Sequence, residues 1–365
     1  MKDVVRTANI NGMIDDLNHL DITHSLVIIE INTYFSSPKD TYHEHFSEWN
    51  KYITSIAFLK TIKNLIFKGN LIILDATMEG SIVNNSIRKY LNLLQSNNID
   101  FNKVFLAFNN SKLDPALDDM YGGYNIRSIF FPHFFISTGY KFQLFDVENN
   151  PTDKQYDFLC LNRRMRDGKL LLLKELKERG LLKNTLYSYV SDNLVTTDKT
   201  VVEKKQPEGD LSYGEQIAKD DETFLYGFNA KWYNNCKVEI VNETYYFEDD
   251  QCHMTEKIFK SILMEKPFVV NSTKGFLKEL RKLGFKTFSS IIDESYDDAD
   301  NIDRYKRVID AAQELVKYYD SDEVKTICEY NKKLLLSTEH KRNVINEIFL
   351  NNLHHNYESL TEGRI

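Results

Sequence analysis

The sequence is poor in the residues that mark several protein classes. Among 365 residues there are only 14 glycines and 6 prolines, which excludes a collagen-like or linker-dominated chain. The four cysteines, Cys160, Cys236, Cys252 and Cys328, are far apart and form no CxxC pair. They therefore indicate neither a disulfide framework nor a zinc site, and we expect reduced thiols in a cytoplasmic protein.

Long apolar runs are also missing. None approaches the roughly 18 residues that a membrane-spanning helix needs, so we expect no membrane span. The first residues, MKDVVRTANINGMIDDLNH, are polar and acidic, unlike a signal peptide, which predicts a soluble, intracellular protein. Neither a GxGxxG nor a GxxxxGKS/T pattern occurs, which argues against dehydrogenases and P-loop enzymes.

The charge balance and length describe a globular chain of about two domains. Hydrophobic residues make up 42% of the sequence, and 46 basic residues stand against 54 acidic ones, a net charge of −8. An acidic chain is a poor candidate for nonspecific nucleic-acid binding. A local basic pocket for a phosphate remains compatible with this charge.

Residues 1–150 alternate short apolar runs with helical stretches, which is typical of βαβ units and a parallel sheet. A polar stretch with Pro151, at about 146–156, predicts a linker to a second alternating series. Residues 192–222 are polar and aperiodic and predict a long loop. The strands are predicted at Leu26–Ile31, Leu71–Asp75, Val104–Phe108, Ile126–Phe131, Tyr156–Leu161, Thr185–Val190, Lys237–Val241, Pro267–Asn271 and Phe285–Phe288.

The sequence also predicts the helices between these strands and after them. Gly180 and Gly284 stand directly after two of the helical patterns and predict their ends. The helical stretches are Phe46–Lys68, Ser81–Leu94, Arg166–Arg179, Thr255–Met264, Lys274–Leu283, Ile302–Tyr319 and the tail Asp322–Tyr357.

A cluster of arginines follows the strand that begins the second series. Asn162-Arg163-Arg164-Met165-Arg166 leads from a strand end into a helix, the position where open parallel sheets bind ligands. Arginine grips phosphate bidentately, and a helix N-terminus adds N–H donors and a positive dipole end. The alternative is a solvated basic turn paired with surface acids.

Two further groups follow predicted strands or begin predicted helices. Glu243 comes directly after KVEIVN, and a carboxylate there can bind sugar or ribose hydroxyls. Thr255 is a candidate N-cap, Glu256 can accept hydrogen bonds from a ribose, and Lys257 can neutralise a phosphate. The alternatives are a surface glutamate and an ordinary helix cap with a surface ion pair.

The order of these groups resembles a known family. The run Val238–Asn271, with NET, then TEK at a helix start, then PFVVN, is similar to the donor-binding region of α-1,3-fucosyltransferases and their bacterial and viral relatives. GFKTF at Gly284–Phe288, DESYD at Asp293–Asp297 and FLCLNRRMRDGKLLLLKEL upstream continue the resemblance, which covers about residues 156–310. The loop before Thr255 is a few residues longer than in fucosyltransferases, which leaves the donor sugar and base open.

The resemblance implies an α/β fold of the GT-B type, with two Rossmann-like domains facing each other across a cleft. Residues 1–150 would be the acceptor-side domain, 151–330 the nucleotide-sugar domain and 331–365 a helical tail. It also implies an inverting, metal-independent glycosyltransferase without a cofactor, acting on a nucleotide-diphosphate sugar and an acceptor hydroxyl, such as that of a glycan.

The same resemblance assigns roles in the second half of the chain. Glu256 would hold the donor ribose, Lys257 would contact the diphosphate, and Glu243 would touch the donor sugar or ribose. Arg164, supported by Arg163 or Arg166, would neutralise the departing diphosphate.

The general base of an inverting transfer should come from the first half of the chain. LIILDATMEGS places two acids at a predicted strand end, of which Glu79 is the first candidate and Asp75 the second. The alternative is that these acids cap the next helix. Asp298-Ala299-Asp300 has the spacing of a metal motif but lies late in the chain, so no metal site is predicted.

Two other functions stay open. The acceptor could be a hydroxylated base in DNA, which requires a basic cleft and base extrusion that the acidic charge disfavours. The chain could also be a non-catalytic protein that binds sugar nucleotides on an enzyme fold, which the fold alone does not exclude.

Overall fold

The protein is described by a computed structural model and forms two compact units. The first unit comprises Met1–His133 and Lys341–Ile365, and the second comprises Phe134–His340. The sequence had placed the boundary at 150/151 and the tail at 331–365. The structure describes residues 27–31, 53–77, 85–112, 126–138, 143–145, 154–162, 166–187, 227–248 and 251–353.

The first unit contains a four-stranded parallel sheet of order β1-β2-β3-β4. Its helices pack apolar stripes onto the strands, and the predicted face of Ile87, Leu91 and Leu94 is buried. Ser55 caps the first helix by accepting a hydrogen bond from the Phe58 N–H at 3.2 Å. The elements are β1 (Val27–Glu30), α1 (Ile56–Phe67), β2 (Ile72–Asp75), α2 (Asn85–Ser96), β3 (Val104–Phe108) and β4 (Arg127–Phe130).

A short helix, α3 (His133–Ser137), leads into the second unit, which has a four-stranded parallel sheet of order β10-β9-β6-β7 and a two-stranded parallel sheet of β5 and β8. The strands are β5 (Gln143–Phe145), β6 (Tyr156–Cys160), β7 (Thr185–Tyr187), β8 (Gly227–Asn229), β9 (Cys236–Asn242) and β10 (Phe268–Asn271). The helices are α4 (Asp167–Glu178), α5 (Ala230–Asn234), α6 (Glu256–Leu263), α7 (Phe276–Lys282), α8 (Asn301–Tyr318) and α9 (Asp322–Leu336). A final helix, α10 (Thr338–Val344), continues into a π-helical segment, Ile345–Leu350.

The strand order of the second unit creates a switch point. From β6 the chain crosses to β7 on one side, and β9 then pairs with β6 on the other side, followed by β10. In the sequential sheet of the first unit, the described strands all advance in one direction. Because ligands of open parallel sheets bind where the direction reverses, the carboxyl ends of β6 and β9 mark the expected site.

Two glycines end helices as the sequence predicts. Gly180 follows α4 with φ +69° and Gly284 follows α7 with φ +91°, both in the left-handed region that glycine adopts without strain. At Gly284 a side chain would also meet the His340 ring, whose Cε1 lies 3.1 Å from the position of an added Cβ.

The predicted strand Phe285–Phe288 is wrong. Phe285 and Phe288 are buried, so the apolar pattern does mark a packed segment. The backbone, however, bonds to side chains instead of to a neighbouring strand: Lys286 N–H donates to Asn331 Oδ1 at 2.9 Å, and Phe288 N–H donates to Glu294 Oε1 at 2.7 Å.

In the described part of the chain, the helices fall short of what a bilayer crossing requires in length or apolar character. All four cysteines are buried thiols.

Candidate functional site

The carboxyl ends of three adjacent strands are joined by an asparagine ladder. Asn242, at the end of β9, donates from Nδ2 to Asn162 Oδ1 at 2.9 Å, and Asn271, at the end of β10, donates to Asn242 Oδ1 at 2.7 Å. All three side chains are buried. The sequence predicts that Asn162 binds the nucleotide sugar. In the structure its side chain belongs to this ladder, which joins the ends of β6, β9 and β10.

Glu243 follows the ladder and braces the start of α6. Its two carboxylate oxygens accept hydrogen bonds from the Thr255 N–H at 3.1 Å and the Thr255 hydroxyl at 2.6 Å. The side chain is fully buried. Thr255 is the N-cap of α6, as predicted, and accepts from the Lys257 N–H at 3.4 Å. The carboxylate of Glu243 therefore positions the helix start and does not face solvent.

Lys257 lies between two carboxylates at this helix start. Its Nζ is 3.4 Å from Glu256 Oε1 and 3.6 Å from Glu243 Oε2, and it donates to the Thr255 hydroxyl at 2.8 Å. Burial lowers the pKa of Lys257, but the charges of Glu256 and Glu243 outweigh it and raise that pKa. The ammonium therefore stays protonated.

Glu256 stays ionised for the reciprocal reason. Burial favours the neutral carboxyl, but the charges of Lys257 and Lys260 and backbone hydrogen bonding lower its pKa to about 2. Its side chain keeps 17% of its surface exposed, unlike that of Glu243. An ionised, partly exposed carboxylate is a suitable acceptor for ligand hydroxyls.

Arg166 approaches the same edge from α4. It occupies the N-cap position of α4 but makes no side-chain cap hydrogen bond. Its guanidinium donates to the Thr244 carbonyl at 3.2 Å and lies 5.2 Å from the centre of the Tyr245 ring. These contacts hold a cation over the loop that follows β9. Arg166 therefore lies at the strand ends where the sequence predicts an anion-binding role for it, and that role stays a prediction.

Lys169 is a residue that the sequence reading missed. It lies in the first turn of α4, is only 5% exposed, and is in the electrostatic field of Lys257, Glu243, Arg166 and Glu256. Burial, followed by repulsion from Lys257, lowers its pKa to about 7.

The signal for Lys169 was present in the sequence. In DGKLLLLKEL it shares one helix face with buried Leu172, Leu173 and Leu176, the spacing of an apolar stripe. A lysine in such a stripe is a departure from the usual pattern.

The loops after β9 and β10 are held by a buried arginine. Arg304, on α8, donates to the carbonyls of Tyr246 at 3.1 Å, Ser272 at 3.0 Å and Ala299 at 3.0 Å. The ring of Tyr246 also packs against Gly168, where an added Cβ would lie 2.4 Å from Tyr246 Cγ. The close approach explains why glycine stands in the first turn of α4.

The downstream motifs of the family resemblance have structural roles. Asp297 accepts hydrogen bonds from the Leu277 and Lys278 N–H groups at 3.0 and 3.3 Å and so caps α7 from outside the helix. Glu294 accepts from the Thr287 hydroxyl at 2.7 Å and is paired with Arg281. These contacts tie the segment that follows α7 back onto that helix.

Of the remaining predicted site residues, the structure describes only Asp75, which belongs to the first unit. Asp75 is buried at the end of β2, where its Oδ1 accepts from the Thr77 N–H at 3.0 Å and the Thr77 hydroxyl at 2.7 Å. Glu79, Arg163 and Arg164 lie outside the described residues. Within the described ranges, no group of three or more His, Cys, Asp or Glu side chains is arranged to hold a metal ion.

Comparison of the chain with protein-family models, with curated proteins and with solved structures finds no match.

Proposed function

We propose that the protein is an inverting, metal-independent glycosyltransferase that moves a sugar from a nucleotide-diphosphate sugar to an acceptor hydroxyl. The observation that carries the proposal is the group of cations at the switch point of the second unit. Arg166, Lys169 and Lys257 are brought to the carboxyl ends of β6 and β9 from the starts of two different helices, α4 and α6.

The chemistry of the leaving group explains this arrangement. Breaking the bond between the sugar and the diphosphate places negative charge on the departing oxygen. Fixed cations and helix N–H groups aimed at that oxygen lower the barrier, because they need no reorganisation when the charge develops. In the described residues, the cations Arg166 and Lys257 lie beside the carboxylates of Glu243 and Glu256, and Lys169, whose pKa burial lowers to about 7, can add a positive charge when a diphosphate binds.

The residues of the site divide the work. Lys257 contacts the diphosphate and is held in place by Thr255 and Glu243. Arg166 closes over the anion from α4, with Arg163 and Arg164 as further candidates just before it in the chain. Glu256, ionised and partly exposed, accepts hydrogen bonds from the ribose hydroxyls. The acceptor proton goes to a base of the first unit, Glu79 or Asp75.

The test is a panel of nucleotide sugars incubated with the full chain in the presence of a chelator. Release of the nucleoside diphosphate is measured with and without candidate glycan acceptors. The proposal expects turnover with one donor, lost in Lys257→Ala and retained in Lys174→Ala, which removes an exposed charge farther along α4. Binding of a donor without turnover would favour a non-catalytic protein, and turnover only with added manganese would contradict the proposal.

A further inference from the structure

We infer that Lys169 is a ligand of the diphosphate in this site, and that anion binding brings a proton to its amine. The inference rests on the proposed function, since it names how the same site holds its anion. It concerns a residue to which the family resemblance assigns no role.

The first observation is the burial of a charged side chain without a partner. Lys169 is 5% exposed, and within the described residues no oxygen accepts a hydrogen bond from its ammonium. Lysines buried to this degree are otherwise paired, because an unpaired ammonium in an apolar environment is costly. A bound anion would supply the missing partner.

The second observation is where the residue lies. The N-cap of α4 provides no side-chain hydrogen bond to the first turn, and the Lys169 N–H already donates to the Arg166 carbonyl at 3.0 Å, so the N–H groups of Asp167 and Gly168 are the donors that this turn offers to an anion. Lys169 belongs to that turn, and the Gly168 carbonyl beside it accepts from Asn271 Nδ2 at 3.3 Å, which ties the turn to the asparagine ladder. The turn that carries Lys169 is therefore fixed at the ends of β9 and β10.

The charged groups around Lys169 leave it poised to gain a proton. Arg166, on its own helix, and Lys257, on α6, disfavour the ammonium, whereas Glu243, after β9, and Glu256, on α6, favour it. The Cys160 thiol of β6 stays neutral, because burial raises its pKa to about 11. With a pKa of about 7, Lys169 is mostly neutral at pH 8, and a bound dianion shifts it back to the charged form.

The experiment is calorimetric titration of the full chain, with chelator, using UDP, GDP, ADP, CDP and dTDP. The tightest binder is then titrated at pH 8 in two buffers of different ionisation enthalpy. A terminal phosphate has a pKa of about 6 and is already ionised at pH 8, so any protons taken up on binding go to groups of the protein. We expect uptake of about one proton at pH 8 and less at pH 6.

Two variants separate the possible outcomes. Lys169→Met should bind at least about tenfold more weakly at pH 6 and lose the uptake at pH 8, and Lys174→Met should behave as the unaltered protein. Tight binding with no proton uptake, or an unchanged Lys169→Met, overturns the role of Lys169 and leaves the proposed function standing. Failure of the unaltered protein to bind any of the five diphosphates overturns both. If Lys169→Met does not fold, Lys169→Gln is titrated in its place, because uptake by the unaltered protein alone does not distinguish Lys169 from Glu239, whose pKa burial raises to about 8.

Discussion

Lys169 is expected to favour ligand binding and to lower the stability of the fold without ligand. Its neighbours on the helix face, Leu172 and Leu173, are fully buried, and an apolar side chain would suit the position better. The lowered pKa means that the unfolded chain holds the lysine proton more tightly than the folded chain does. The lysine therefore destabilises the fold most below pH 7, and less as the pH rises from about 7 towards its ordinary value.

We expect Lys169→Met to stabilise the protein without ligand by about 0.5–2 kcal/mol at pH 6. The gain should shrink at pH 9, because the lysine is then mostly neutral in the folded chain. Urea unfolding at the two pH values measures both effects. A variant that is less stable at both pH values would mean that Lys169 is a packing residue.

Thr255 caps α6 and is hydrogen-bonded to the buried carboxylate of Glu243. Replacing it with valine keeps the shape but removes the hydroxyl that donates to Glu243 and accepts from Lys257. We expect Thr255→Val to lose about 1–3 kcal/mol of unfolding free energy, because a buried carboxylate oxygen loses its partner. Thr255→Ser keeps the hydroxyl and should stay much closer to the unaltered protein in the same unfolding experiment. A stable Thr255→Val together with a destabilised Thr255→Ser would contradict this and assign the effect to the methyl group.

At the scale of elements, ligand binding should be felt at two helix starts. If a diphosphate lies at the ends of β6 and β9, it covers the first turns of α4 and α6. Hydrogen exchange of the amides in 166–170 and 255–258 should slow by about tenfold or more at a ligand concentration of 100 Kd. α9 packs on α6 and contributes no residue to the proposed site, so its exchange should not change. Slowing confined to other segments would place the ligand elsewhere.

Most strands could be predicted because strands that are buried on both faces of a parallel sheet have continuous apolar sequences. Val104–Phe108 matches its strand residue for residue, and Leu71–Asp75 differs at one end only. The five-residue helices α3 and α5 were missed, since they are too short for a periodic pattern. FKTF was misread because burial alone does not decide whether a backbone bonds to a strand or to side chains.

The site could be predicted only where it is local in sequence. Thr255, Glu256 and Lys257 form one helix start, and Glu243 ends a strand, so their types and positions were visible. The asparagine ladder was not, because Asn162 and Asn242 meet only when β9 pairs with β6, and local patterns do not specify strand order.

At the scale of the whole molecule, the chain separates its two proposed tasks. Arg166, Lys169 and Lys257 belong to the second unit, whereas Asp75 and Glu79 belong to the first. We expect Asp75→Asn or Glu79→Gln to reduce transfer to an acceptor by about 10²–10⁴-fold, with diphosphate affinity unchanged, because only proton removal is lost. Initial rates and calorimetry measure the two quantities. Full transfer activity in both variants would show that the base lies elsewhere.

The net charge of −8 makes the location of the cations important. An acidic molecule repels a diphosphate except near a group of cations whose local positive potential exceeds the negative potential of the rest of the molecule. The most direct test of the central claim is therefore a crystal structure of the full chain with the tightest-binding nucleoside diphosphate. We predict phosphate oxygens within about 2.7–3.2 Å of the amines of Lys257 and Lys169, at the ends of β6 and β9. A diphosphate bound away from both lysines would contradict the account.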